Sequence, residues 1–408
     1  MNDSVIKAAA GDDDRRGRAG EVFSAFLKLG LTSFGGPIAH LGYFRDELVV
    51  RRRWIDEKGY ADLVALSQFL PGPASSQVGF ALGLLRGGSL GAAAAWTAFT
   101  LPSAILLVLF AYGAHMLEGP VGSGIIHGLK VVAVAIIAQA VWGMARNLTP
   151  DRQRASIALS AVLIVVLTAS AVGQVAAIFI GGLAGLWLCR SQGEAVSGHV
   201  SFPVSHTVGA LALAAFFLLL VGLPLVAGAL SLQWVAVFDA FYRTGALVFG
   251  GGHVVLPLLE AEVVRSGWVS ADEFLAGYGA AQAIPGPLFT FAAYLGTVLG
   301  PQPNGLAGAA TALVAIFLPG FLLLIGVIPF WDAFRARPAA QAFMRGANAA
   351  VVGILGAALY QPVWTSAIIG PYEFALALTC FVLLAAWKCP PWVVVIVAAT
   401  GGVLIGLT

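Results

Sequence analysis

Charged side chains are scarce in this sequence: Asp, Glu, Lys and Arg together make 10% of its 408 residues, against 59% hydrophobic residues. With a mean hydropathy of +0.90, that excludes a soluble single-core domain, which carries about 25% charge. The net charge of only +2 argues against a nucleic-acid surface. Cysteine is nearly absent too. Cys189, Cys380 and Cys389 form no C-x-x-C pair and no metal-ligand spacing, so they are expected to be packing residues, two of them at helix ends. There is no G-x-x-x-x-G-K-[ST] loop and no His/Asp/Glu cluster with metal spacing, so ATP hydrolysis has no motif to rest on and no metal or cofactor is expected. A membrane enzyme acting on anionic lipid head groups would need a nucleophile, a metal or an acid/base pair facing a cavity. A reductase would need a dinucleotide fingerprint or a redox cysteine pair. Neither is found. Also missing are the roughly 10-residue alternating segments of a transmembrane barrel. The first twenty residues, with DDDRRGR, lack the apolar stretch and cleavage site of a signal peptide and read as a cytoplasmic tail.

What remains is a series of apolar segments of roughly 15 to 25 residues between short polar loops, the length of membrane-crossing helices. They repeat. Phe26, Lys28, Gly30, Phe34, Gly35, Gly36 and Glu47 match Phe241, Arg243, Gly245, Phe249, Gly250, Gly251 and Glu262 at one constant offset. After a one-residue deletion Trp54 matches Trp268, and QFLPGP at 68–73 matches QAIPGP at 282–287. Further on, Leu101-Pro102 matches Leu318-Pro319, and Gly128 matches Gly346. The expected fold is an all-α polytopic membrane protein. Its parts are a tail at 1–20, a transporter repeat at 21–190, a linker at 191–234 with one transmembrane helix (Val208 to Leu230), and a second repeat at 235–408.

A single linker helix would invert the second repeat, and charge supports this. In the first half the loops 45–54 and 146–154 are basic, while 112–124 carries no Lys or Arg. In the second half the loop around Arg335, Arg337 and Arg345 is basic, while 361–373 carries none. Inverted repeats of transporters hold substrate near the midplane, between the halves. The expected spans are 92–114, 125–145, 155–172 and 174–189, with counterparts at 306–330, 346–364, 373–387 and 391–408. Ahead of each set come two segments broken by FGG or PGP. If these are hairpins, the Arg51-Arg52-Arg53 loop is cytoplasmic, as the positive-inside rule prefers; if they span fully, it is periplasmic.

Broken backbone at membrane depth survives only where protein or a water-filled cavity satisfies it, so the FGG and PGP breaks point to a central polar site. Half-helix N-termini facing it would suit an anion. Ser75, Ser76 and Thr290 stand just beyond the PGP turns, and Gln68 and Gln282 just before them, where each glutamine would either donate to an oxyanion or satisfy the broken backbone locally. Lys28 and Arg243 lie in apolar runs, where ionisable residues are rare and functional. Together they would attract a small divalent anion, the alternative being that both snorkel to an interface. Glu47 and Glu262 are candidate carriers of a coupled proton, or solvated carboxylates beside loops. Lys130 would snorkel or bond to another helix. His40 and His253 read as structural hydrogen bonders, and Trp54 and Trp268 as interfacial anchors. Acidic residues inside the apolar segments are not evident, which argues against a sodium-driven or multi-proton importer.

LGLTSFGGPIAHLGYFRDELVVRRRW with LSQFLPGP, and FGGGHVVLPLLEAEVVRSGW with AQAIPGP, resemble the chromate ion transporter family in its long, two-domain form. That resemblance implies chromate efflux and resistance at a bacterial inner membrane. Sulfate is then the expected competitor. The charged tail and the basic loops, for their part, place the N-terminus in the cytoplasm and the C-terminus in the periplasm. The resemblance carries a substrate role to Phe34, Gly35, Gly36, Pro71, Gly72 and Pro73, and to Phe249, Gly250, Gly251, Pro285, Gly286 and Pro287, with Gln68, Ser75, His253, Gln282 and Thr290 beside them. The first half reads Gly-Gly-Pro where the second reads Gly-Gly-Gly-His, so the two breaks need not bind alike. A homodimer is compatible with this picture.

Overall fold

The computed structural model describes residues 3–114, 119–168, 170–190, 202, 204–249, 251–331, 333 and 337–407, with side chains from residue 18 onward. Gly250, Arg335, residues 115–118 of the 112–124 loop and most of 191–203 lie outside them. The described residues are helical, without strands.

Proline and glycine set the boundaries. In the first half, α1 (Asp3–Thr32) stops at the FGG break, α2 (Gly36–Phe44) begins with Pro37 in its first turn and runs into a π-helical segment, Arg45–Arg51, and α3 (Glu57–Phe69) is capped by Asp56. After PGP comes α4 (Ala74–Ala114), two helices joined at a kink where Gly87 and Gly88 leave helical geometry. Then follow α5 (Gly119–Leu148), α6 (Arg152–Thr168) and α7 (Ala171–Leu188), the last capped by Ser170. The linker helix α8 (His206–Leu230) leads to α9 (Gln233–Leu247), broken at the second FGG. Next are α10 (Val255–Leu259) with its π-helical continuation Glu260–Val264, α11 (Ala271–Ala283) with a Ser270/Glu273 capping box, and the second PGP. The chain ends with α12 (Phe291–Val298), α13 (Gly305–Val327), α14 (Pro338–Ala358), α15 (Pro371–Ala385) and α16 (Pro391–Gly406).

Both PGP turns end one helix and precede another, as expected from the missing proline donors. Some span limits differ. The expected 92–114 is the second arm of a helix that starts at Ala74, and 346–364 ends as a helix at Ala358, before a π-helical stretch in which Gln361 is extended. The tail is continuous with the first apolar segment in α1. Among the described residues six helices are long and apolar enough to cross a membrane. On α8, Gly209, Ala212 and Phe216 are buried, while Leu211, Leu218, Val221 and Leu225 face outward, which suits a helix surrounded by lipid.

The two halves interlock. Helix α5 of the first half packs on α15 and α16 of the second, and α14 of the second packs on α6 and α7 of the first. Glycine permits the approach at equivalent places: a Cβ on Gly128 would strike the Ala398 carbonyl, and one on Gly346 the Gly181 carbonyl. Within each half the pairing is also matched, Gly30 of α1 lying against Ala98 and Phe99 of α4, and Gly245 of α9 against Ile316 of α13. Equivalent residues 37 and 252 touch each other, since a Cβ on Gly252 would lie 3.1 Å from the Pro37 ring. The two repeats therefore approach each other at their FGG breaks. Phe80 of α4 also stacks on Phe321 of α13 with ring centroids 4.4 Å apart.

Candidate functional site

A Pro-Gly-Pro turn owns one backbone donor, the glycine N–H, because proline has none. Each half gives that donor to the other. Gly72 N–H donates to the Val248 carbonyl at 2.7 Å, and Gly286 N–H donates to the Ser33 carbonyl at 2.9 Å. Ser33 and Val248 are equivalent residues immediately before the two FGG breaks, so each PGP turn is tied to the opposite FGG. Gly72 and Gly286 hold φ of +119° and +107°, accessible to glycine but costly for other residues. The Gly72 turn rests against Gly320, and the Gly286 turn against Ser103, its equivalent in the Leu-Pro-Gly and Leu-Pro-Ser triplets. Gln77 Nε2 adds a clamp, donating to the carbonyls of Pro71 and Gly320, both at 3.0 Å.

Around this crossing several buried polar atoms have no partner, among them Ser33 Oγ, Ser76 Oγ, Thr100 Oγ1 and Gln282 Nε2. Leaving such a group unpaired costs about 1–3 kcal/mol. Ser33, Thr100 and Gln282 stand about the Gly286 turn: Ser33 accepts its N–H, Thr100 follows Phe99 beside it, and Gln282 precedes it by one helical turn. Each is a neutral group able to donate to a tetrahedral oxyanion. Gln68, the equivalent of Gln282, is exposed, and Phe34 and Phe249 are half-buried. Thr290 Oγ1 is used locally, on the Pro287 carbonyl at 2.7 Å. His40 meets Ser75 Oγ at 3.3 Å and His253 meets the Tyr278 hydroxyl at 2.7 Å, structural hydrogen bonds in both cases.

Lys28 and Arg243 are each held by a carboxylate. Lys28 Nζ is bonded to Glu47 at 2.7 Å and Arg243 to Glu262 at 3.0 Å, over the same sequence separation of 19 residues. Residues assigned separately to anion binding and proton carriage are thus two equivalent ion pairs. Their surroundings are opposite in sign. Glu47 also receives Arg51 at 3.1 Å and Arg52 at 2.8 Å, so three cations face one carboxylate. Burial would raise its pKa, but Lys28, Arg52 and Arg51 outweigh burial and hold it at about 2. In the second half one guanidinium faces two carboxylates, because Arg243 also contacts Asp239 at 3.0 Å. Burial pushes Glu262 up, Arg243 opposes this and Asp239 adds to it.

Asp239 was not foreseen, and it corrects the expectation of no acidic residue in the apolar runs: it is 5% exposed. Its signal was present, an acid four residues before a basic residue on one helix face, the ion-pair spacing. Lys130 bonds to Asp272 of α11 at 2.9 Å, the interhelix alternative. Trp54 is more than an anchor, since its Nε1–H donates to Glu21 at 3.2 Å and the Arg52 and Arg86 guanidinium groups lie over its ring, 5.7 and 5.6 Å from the centroid.

No solved structure matches the chain. It is 30% identical over 400 residues to a chromate transport protein of Pseudomonas aeruginosa, covering 93% of this chain and 90% of that protein. It is 29% identical to a probable chromate transport protein of Synechococcus elongatus (93% of each chain), and 29% identical to a chromate transport protein of Cupriavidus metallidurans (94% of this chain, 91% of that one). The chromate transporter family model matches twice, at residues 20–186 and 235–403, once in each half. With both repeats matched, the chain belongs to the chromate transporter family.

Proposed function

We propose that this protein is a secondary transporter that carries chromate out of the cytoplasm across a bacterial inner membrane, with sulfate as a competitor. The observation that supports this best is the reciprocal crossing of PGP and FGG breaks, with unpaired hydroxyl and amide donors around the Gly286 turn. Neutral donors can replace the hydration of a tetrahedral dianion without holding it too tightly to release. The two halves, which meet at Pro37 and Gly252, would rock about that crossing and expose it to each side in turn. In this reading the second repeat is inverted in the membrane and the broken segments are hairpins, with the Arg51-Arg52-Arg53 loop and the N-terminus cytoplasmic and the C-terminus periplasmic. The excess positive charge around Glu47 then faces the cytoplasm and draws the anion in.

Energetics favour export. One charge crossing 100 mV is worth about 2.3 kcal/mol, so expelling a dianion from a negative interior gains about 4.6 kcal/mol at that potential, roughly a thousandfold or more in concentration ratio. The test is radioactive chromate uptake into everted membrane vesicles, whose interior corresponds to the periplasm. Saturable uptake, enhanced by an interior-positive potential and inhibited by excess sulfate, is the expected result. No accumulation above vesicles lacking the protein, with the protein folded and inserted, would refute it. In the same vesicles a cysteine at Arg52 should be labelled from outside, and labelling only from inside would sink the hairpin orientation.

A further inference from the structure

We propose that Asp239 and Glu262 hold one exchangeable proton between them across Arg243, a proton site that only the second repeat possesses. This supplies a proton partner for the transport proposed above, but it does not rest on the substrate being chromate.

A single atom, Arg243 Nη2, contacts Asp239 Oδ2 and Glu262 Oε2, both at 3.0 Å. The two carboxylate side chains are only 7% and 14% exposed. With both ionised, the group carries a net negative charge in a poorly solvated place, and one proton makes it neutral. The hydrogen bonds around it are also incomplete. Asp239 Oδ1, Gln174 Oε1, Thr244 Oγ1 and Arg243 Nε are buried without partners. Gln174 and Thr244 are each 1% exposed, and both line a recess with Arg243, Leu247, Leu258 and Glu262. Gln174 Oε1 and an ionised Asp239 Oδ1 can only accept and Arg243 Nε can only donate, and a proton on the carboxylate pair adds a second donor to the group. The recess opens beside Arg243 and Glu262, whose side chains are 30% and 14% exposed.

Among the described residues, nothing charged on the neighbouring elements competes. Helices α7, α10 and α13 contribute no charged side chain toward the cluster. On the π-helical segment Glu260 is occupied by Arg265 at 3.3 Å. The Tyr242 hydroxyl of α9 donates to the Phe216 carbonyl. His206, at the start of α8, sits against Phe330. The first repeat is a natural control. It has the same cation–glutamate spacing, but exposed Ser24 replaces Asp239, and Arg51 and Arg52 join Lys28 on Glu47, which leaves that carboxylate no reason to keep a proton.

The test is infrared difference spectroscopy of the full-length protein in lipid nanodiscs, stepped from alkaline to mildly acidic pH without any transported anion. The wild type should gain a protonated-carboxyl C=O band that Asp239→Asn and Glu262→Gln each lose and Glu47→Gln keeps. Asp239→Ser, which installs the residue of the first repeat, should also lose it and stands in if the Asn variant is not monodisperse. A band of wild-type size in both folded Asp239 and Glu262 variants would overturn the proposal. Because no anion is present, failure here is distinct from failure of chromate uptake.

Discussion

Replacing Gly286 by alanine tests the crossing of the two repeats directly. At φ of +107° the backbone is outside the region open to L-residues, a strain of about 1–3 kcal/mol. The added Cβ would lie 2.7 Å from Ser103 Oγ and 3.1 Å from Ser103 Cβ, an overpacking of similar size. If the turn shifts to relieve either, it weakens the Gly286–Ser33 hydrogen bond, a further loss of about 0.5–1.5 kcal/mol. The expected destabilisation is on the order of 3 kcal/mol, read as a lowered unfolding midpoint in detergent, together with reduced chromate uptake. Ser103→Gly, which copies Gly320 of the other half, removes the steric part but not the backbone strain. The double variant should therefore recover about 1–2 kcal/mol in a mutant cycle. Gly72→Ala offers no such rescue, since its Cβ would lie 3.1 Å from the Gly320 Cα and 3.1 Å from Gln77 Nε2. A Gly286→Ala protein as stable as wild type, or a Ser103→Gly background that rescues nothing, would refute the tight crossing.

Ser33→Ala and Thr100→Val remove hydroxyls that have no partner, so stability should hold within about 0.5 kcal/mol or rise slightly. Chromate uptake should nevertheless fall several-fold, and full uptake in both variants would dissociate the Gly286 turn from the substrate. Glu47, held at about 2 when folded, titrates near 4.3 when unfolded. A depressed pKa stabilises above the unfolded value, and that stability is lost as pH falls toward the folded one. The stability lead of wild type over Glu47→Gln should be constant from neutral pH to about 5 and shrink below it; a lead that persists or grows in acid would contradict the three-cation arrangement.

The breaks and the internal repeat are legible in the sequence because glycine and proline pairs leave marks that hydropathy cannot hide. Helix existence follows for the same reason, while limits such as the start of α4 do not, since Gly87 and Gly88 kink that helix without ending it. Partnership across the halves is not legible: nothing local to PGP announces that its glycine N–H will reach Val248 or Ser33. The ion pairs were closer to the surface of the text. A cation and a glutamate recurring at one separation in both halves is a pairing signal, but composition alone assigns them separate roles. Asp239 escaped because no acid occupies the matching place in the first half, so a search for repeated residues passes over it.

The exchange of helices between repeats has a consequence for biogenesis. Helices α6 and α7 leave the ribosome well before α14, the helix they pack against, and α5 waits still longer for α15 and α16. The first half must therefore remain incomplete in the bilayer until the last segments are inserted, its glycine-lined faces covered meanwhile by lipid or an insertion chaperone. Loss of α16 would then harm the first half as much as the second, because α16 closes a seam with α5.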